Sequence, residues 1–283
     1  MTAYPFGAFV ISYLPNNIVH RKARRDDLAK VLDWWMSKTA VPISVIASNW
    51  RDTDRKLLEL SIDLKAITII EQPAQSVVLN RVAAFEAFYQ SDFDWGIMLD
   101  DDAVLYDGPQ HNRGPRLFAE MIANGLSAYS GVDVFFPISP QKVGFSPIYA
   151  KDPALYAAHH VFERNIDLKG SLFVIRNLRK EGRPEVMPDP GFTLVGEDRQ
   201  IALEAVSLGY AVMQCQNIVL NELAGTSHFG PAGGRAALMK AGYTALAHTY
   251  ASHGLTMSAD GHRQDLKAFW AACWGIKPKR IVV

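Results

Sequence analysis

Between residues 6 and 99, short apolar runs alternate with helical segments, and this alternation narrows the possible folds more than any other feature of the chain. "FGAFVISYL" (6–14) is continuously apolar and rich in β-formers, the pattern of a strand buried on both faces. After "PNN", residues Leu28, Val31, Leu32 and Trp35 fall at i, i+3, i+4 and i+7, one face of a helix. "PISVIAS" (42–48) and "AITIIEQ" (66–72) read as the second and third strands; between them "NWRDTDRKLLEL" begins polar and turns helical. "SVVLNRVAAFEAFYQ" (76–90) predicts a helix through Val82, Phe85 and Tyr89, and "WGIML" (95–99) a fourth strand. Strands and helices alternating at these lengths predict an α/β fold, with a mainly parallel sheet flanked by helices.

The second half is less regular. "VDVFFPIS" (132–139), "GSLFVIRN" (170–177) and "YAVMQCQNIVL" (210–220) read as strands. "EDRQIALEAVSLG" (197–209) reads as a helix with Ile201, Ala205 and Leu208 on one face and Gly209 as its stop. Two further helical stretches, 235–254 and 262–275, predict a C-terminal helical appendage over 231–283, after a main domain over 1–230. The main domain divides into a first half to about residue 108 and a second half from about 130 to 230. The stretch 139–165 is rich in proline and aromatics, including Phe145, Tyr149, Tyr156, His159, His160 and Phe162, and suits a loop that closes over a planar group.

In a sheet of this kind ligands bind beyond the carboxyl ends of the strands. Three aspartates, Asp100, Asp101 and Asp102, follow the fourth strand directly, and Ser12, Tyr13 and the segment from Asn49 to Asp54 occupy equivalent ends. Two residues apart in extended backbone, Asp100 and Asp102 share a face. Paired hard oxygen ligands suit Mg²⁺ or Mn²⁺. Asp101 points the other way and orients the neighbouring loop.

Bulk properties exclude more than they assign. With 29 basic and 29 acidic residues the formal net charge is zero, so there is no global attraction to nucleic acid or membrane. Local basic segments exist at "HRKARR" (20–25), "RKEGR" (179–183) and "KPKR" (277–280). The two cysteines have no metal-ligand spacing, and no apolar run reaches spanning length. The expectation is a cytoplasmic protein with no membrane partner, its oligomeric state open.

Two enzyme classes place a D-x-D after a strand. A phosphohydrolase of the haloacid-dehalogenase type would use Asp100 as a covalent nucleophile, but its nucleophile usually ends the first strand, whereas three strands precede Asp100. The run from residue 6 to about 229 resembles the GT-A fold glycosyltransferases, especially the family-two type. The motifs that carry the resemblance occur in order: "VISYLPNN", "ASNWRDTD", "LNRVAAF", "LDDD", "KGSLFVIRN", "GEDRQIALEAVSLGY" and "TSHF". The resemblance implies a UDP-sugar donor gripped by Ser12, Tyr13, Asn49, Asp54, Asn80, Arg81, Asp100 and Asp101. It implies Mn²⁺ or Mg²⁺ on Asp100, Asp102 and His228, with Gly170 and Ser171 on the acceptor side. Glu197 or Asp198 would take the acceptor proton, and the resemblance favours Asp198 as the base of an inverting enzyme. Acids in a helix's first turn also complement its dipole, so a capping role competes.

"ISYLPNN", "LDDD", "GEDRQIAL…GY" and "NIV…SHF" further resemble the TET-associated and bacteriophage-type glycosyltransferases. That resemblance implies DNA carrying 5-hydroxymethylcytosine or -uracil as acceptor, in the host cytoplasm if phage-encoded, with the basic segments as a phosphate-contacting stripe. A glycan or small-molecule acceptor, and a silent nucleotide-sugar binder, are the alternatives.

Overall fold

The computed structural model describes residues 5–106, 120, 131–138, 159–166, 168–192, 196–223, 232–253 and 280–282. The first half runs β1 (Phe6–Tyr13), α1 (Ile18–Thr39), β2 (Ile43–Ser48), α2 (Asp52–Glu59), β3 (Ile67–Gln72), α3 (Val77–Gln90) and β4 (Trp95–Asp100). The second half has β5 (Ala103–Leu105), β6 (Val134–Ile138), β7 (Val161–Arg164), β8 (Leu172–Arg176), α4 (Glu197–Ser207), β9 (Val212–Glu222), α5 (Ala232–Ser252) and β10 (Arg280–Val282).

One sheet joins them in the order β10-β7-β9-β6-β8-β4-β1-β2-β3, with β5 paired to β9 off this path. The strands β3, β2, β1 and β4 are parallel, and β4 then meets β8 antiparallel. Parallel character is thus concentrated in the first half, where helices return the chain to the same edge each time. β6 and β9 add one more parallel pair, and the far edge is antiparallel.

Side-chain alternation sorts the strands between two cores. In β1, Phe6, Ala8 and Val10 face α1, packed with Leu28, Val31, Leu32 and Trp35. Phe9 and Ile11 face the opposite layer, with Val78, Ala84, Phe85 and Phe88 of α3 and Ile201 and Ala205 of α4. Each of the α1 residues is withdrawn from water completely, worth roughly 1.5–3 kcal/mol apiece for side chains of this size. Trp35 also donates its indole N–H to Ala103 O at 3.1 Å, tying α1 to β5. Leu246 and Tyr250 of α5 join the second core, and β10 extends the sheet beyond β7.

Several expectations need adjustment. Val82 is only half-buried; α3 presents Ala84, Phe85, Phe88 and Tyr89 inward instead. Gly96 explains how closely α3 approaches, since a Cβ there would lie 2.8 Å from the Phe88 ring. Phe162 is a core residue of β7, 5.4 Å from the Phe135 ring, and is not available to stack on a ligand. Phe145, Tyr149, Tyr156, the helix predicted over 262–275 and residues 277–279 lie outside the described residues. No helix among the described residues is long and apolar enough to cross a membrane.

Candidate active site

At the carboxyl ends of β1, β2 and β4 the structure gathers two arginine-centred clusters. The first centres on Arg81, in the second turn of α3. Its Nη2 donates to Asp100 Oδ1 at 2.9 Å, its Nη1 donates to Gly170 O at 2.6 Å, and its Nε faces Glu197 Oε1 at 3.6 Å. The side chain is 2% exposed. Burial opposes its charge, yet Asp100, Glu197 and Asp198 together hold it protonated beyond an ordinary arginine. A Cβ on Gly170 would sit 3.4 Å from Arg81 Nη2 and 3.5 Å from Asp198 Cβ, so these residues are in mutual contact.

The acid pair opens α4 behind Gly196, whose φ of +100° lets the chain turn into the helix. Glu197 is buried, and burial pushes its carboxyl up to about 7 against the pull of Arg81. Asp198 is half-buried and accepts from the Arg199 backbone N–H at 2.8 Å. Asp198 is partly open to solvent, whereas the buried Glu197 faces Arg81.

The second cluster lies under α1. Here the extended backbone ends at Asp100, and Asp101 and Asp102 form a turn before β5. The strictly extended geometry expected of Asp100 and Asp102 therefore gives way to a turn. Arg24 Nη1 donates to Asp102 Oδ2 at 2.8 Å, and Arg24 Nη2 pairs with Asp101 Oδ1. Asp101 is fully buried; burial, partly offset by Arg24, pushes its carboxyl up to about 8. Burial and then the neighbouring Asp100 push Asp102 up to about 6. At the mouth, Ser171 O accepts from Asp100 N at 2.9 Å, while Ser171 Oγ bonds the Glu222 carboxylate.

The expected nucleotide contacts are mostly committed to one another. Arg21 is bidentate on Asp54, with Nε–Oδ1 at 3.2 Å and Nη2–Oδ2 at 2.6 Å, and also donates to Leu14 O, Pro15 O and Asn49 O. Although burial raises the Asp54 carboxyl, hydrogen bonds from Arg21 and the Arg51 backbone hold it below the usual range. Asp54 therefore fastens the loops together and offers no free carboxylate. Asn49, at φ +57°, spends its amide on Leu14 O (2.6 Å) and Asn16 Oδ1 (3.2 Å). Buried Ser12 accepts from the Trp50 indole at 3.2 Å, and buried Asn80 accepts from Gln75 at 2.9 Å. Tyr13 ends β1, half-buried. His228 lies outside the described residues.

Arg21 and Arg24 are the residues sequence reasoning placed wrongly. Read as part of a basic segment that contacts phosphate, they instead continue the stripe of Leu28, Val31, Leu32 and Trp35 backwards at helical spacing. That phase was available in the sequence and points them inward, towards acids. Trp50 and Glu222, also at the site, carried no comparable signal.

Asp100 and Asp102 offer hard oxygen donors at the end of β4. Among the described residues no three His, Cys, Asp or Glu are arranged to hold an ion by themselves. That suits an ion held by one or two carboxylates plus substrate phosphates, the usual arrangement for Mg²⁺. The residues present fit such an ion.

Among solved structures the chain is similar to GalNAc-T7 with UDP, GalNAc and Mn²⁺, at 14% identity and TM-score 0.52, over 96% of this chain and 55% of that one. It is similar also to the mannosyltransferase PcManGT from Pyrobaculum calidifontis in complex with GDP-Man and Mn²⁺, at 13% identity and TM-score 0.50, over 95% of this chain and 79% of that one. This is the GT-A fold. S. aureus TarS 1–349 matches at 12% identity and TM-score 0.45, over 86% and 68% of the two chains. The chain spans about half the length of the GalNAc-T7 structure. No protein-family model matches the chain, and no curated protein sequence does.

Proposed function

We propose that this protein transfers a sugar from a UDP-sugar to a hydroxyl acceptor, using Mn²⁺ or Mg²⁺, within residues 1–230 and with 231–283 as a C-terminal appendage. One observation supports the reading: the Arg81 guanidinium reaches both Asp100 Oδ1, at 2.9 Å, and Glu197 Oε1, at 3.6 Å, so the acid read as cation-binding and the Glu197–Asp198 pair read as proton acceptors lie beside one group. Asp100 and Asp102, with His228 as a further ligand, would hold the ion; bound there, it neutralises charge on a departing diphosphate. The GalNAc-T7 and PcManGT structures, which contain UDP or GDP-Man with Mn²⁺, support the same reading.

The chain's own groups supply the rest. Asp198 removes the acceptor hydroxyl's proton as that oxygen attacks the anomeric carbon, giving inversion. Arg81 fixes Asp100 and holds Gly170 O, which sets the acceptor-side strand against the donor side. Ser171 positions the backbone of Asp100 from the same strand. Ser12, Asn49 and Asp54 set the loops that face the nucleotide, and Asn80 and Tyr13 line the same end of the sheet. A phosphohydrolase would need Asp100 free to attack phosphorus, whereas Asp100 ends the fourth strand and is engaged by Arg81.

The acceptor of finer proposal is a 5-hydroxymethylpyrimidine in DNA. It rests on sequence resemblance, and one of its supports weakens. Arg21 and Arg24 point into the protein, and Arg179, Lys180 and Arg183 pair with Glu185, Asp94 and Asp133. The first segment therefore keeps less free charge for phosphate than its sequence suggests, and the second is engaged in surface ion pairs. UDP release from a panel of UDP-sugars with Mn²⁺, with and without hydroxymethylcytosine-containing DNA, tests both levels. Release stimulated by the modified DNA supports the DNA acceptor. Metal-dependent release indifferent to DNA keeps the transferase and moves the acceptor to glycans or small molecules. Absence of any UDP release with every sugar and acceptor overturns the proposal.

A further inference from the structure

We propose that Arg24 is a built-in cation that latches the Asp101–Asp102 turn in the free protein, and that it releases Asp102 only when a divalent ion and a diphosphate arrive together. The inference rests on the nucleotide-sugar reading and adds a competitor for its ion. Arg24 grips both acids, but the two ends differ. The Asp101 side chain is 1% exposed and that of Asp102 is 21% exposed. A carboxyl group buried against a guanidinium cannot lose that partner at small cost, whereas one at the solvent edge can exchange it for another partner or water. Arg24 therefore stays anchored on Asp101 and can pivot away from Asp102.

Two further observations favour a latch over a fixed scaffold. Arg24 Nη1 lies on Asp102 Oδ2 at 2.8 Å, so an oxygen counted as a metal ligand is already occupied by a positive group. Arg24 Nε is buried without a hydrogen-bond partner, so the guanidinium is not fully satisfied where it sits and gains by pivoting to a position where all its donors are met. A diphosphate supplies acceptors for a guanidinium with spare donors. The ion takes Asp102 as the diphosphate takes Arg24, and each lowers the cost of the other's binding. Arg24 thus makes ion binding depend on nucleotide, beyond the contribution of phosphate ligation itself.

Titration of Mn²⁺ alone, followed by the electron paramagnetic resonance signal of the free ion, separates a latch from a scaffold. Arg24→Met removes the competing cation but leaves Asp101 bare. The double variant Arg24→Met/Asp101→Asn replaces that buried carboxyl group as well, and a melting curve confirms its fold. The latch predicts that these variants bind Mn²⁺ without nucleotide roughly tenfold or more tightly than the parent, the scale of one lost charge-assisted hydrogen bond. It also predicts that adding UDP tightens Mn²⁺ binding more in the parent than in the variants. Equal or weaker Mn²⁺ binding in the folded variants overturns the latch and makes Arg24 a scaffold for the aspartates. If the parent then still binds Mn²⁺ with UDP, the failure lies with the latch alone. If no protein binds Mn²⁺ even with UDP, the metal reading fails and takes the latch with it.

Discussion

Arg81 sits where its loss would strand two acids. Replacing it by Met leaves Asp100 and Glu197 without their shared counter-charge in a buried setting, a change that typically costs about 3–5 kcal/mol. The expected result is a large fall in the urea midpoint of Arg81→Met; a change within experimental error would mean the cluster does not hold the two halves of the site together. Asp198→Asn tests the opposite kind of residue. It removes a proton acceptor at a half-exposed position, so transfer should fall by about 10²- to 10⁴-fold while Mn²⁺-dependent UDP affinity is kept. Comparable loss of UDP affinity would place Asp198 on the donor side instead. These residues were legible because each stands at the end of a recognisable strand or the start of a recognisable helix. Arg24 was not, because the six-residue run HRKARR reads as an outward basic segment unless its helical phase is followed into Leu28 and Trp35. Asp54 was misjudged for a related reason: sequence places a carboxylate at a loop, but only the fold shows that Arg21 has already taken it.

At the scale of elements, the long strands and helices of the first half followed directly from apolar runs and spacing. Those that escaped notice, β5, β7 and β10, have three or four residues each and draw their definition from a partner strand. β5 and β7 both pair with β9, and β10 pairs with β7, so no local pattern announces them. Helix α4 was the reverse case, because its stop is written in one residue. Gly209 has φ of +80°; its N–H donates to Val206 O, and the Tyr210 N–H donates to Ala205 O. A Cβ at Gly209 meets nothing within 4 Å, so Gly209→Ala should cost only the left-handed strain, about 1 kcal/mol. A much larger loss of stability by chemical denaturation would show that this turn bears on more than the helix end.

Across the whole molecule, the acids of the site make stability depend on pH in an unusual direction. Burial raises Glu197 from an ordinary 4.5 to about 7, and Asp101 from 3.8 to about 8. The folded state therefore holds protons that the unfolded chain has released, and stability falls as pH rises from about 4.5 towards 8. Glu197→Gln should flatten the part of this fall that lies below about 7. Melting temperatures of parent and variant across that range would show it, and parallel profiles would mean Glu197 is ionised throughout. The same concentration of acids is the reason for proposing a cation here, and the sheet explains why they gather, since β1, β2 and β4 run parallel and end together. Calorimetric titration of UDP into the parent and Asp102→Ala, each with Mn²⁺ and with EDTA, tests that claim most directly. The account predicts UDP binding in the parent that depends on Mn²⁺ and is lost in Asp102→Ala. Equal UDP affinity in the two proteins, or binding indifferent to EDTA, would contradict it.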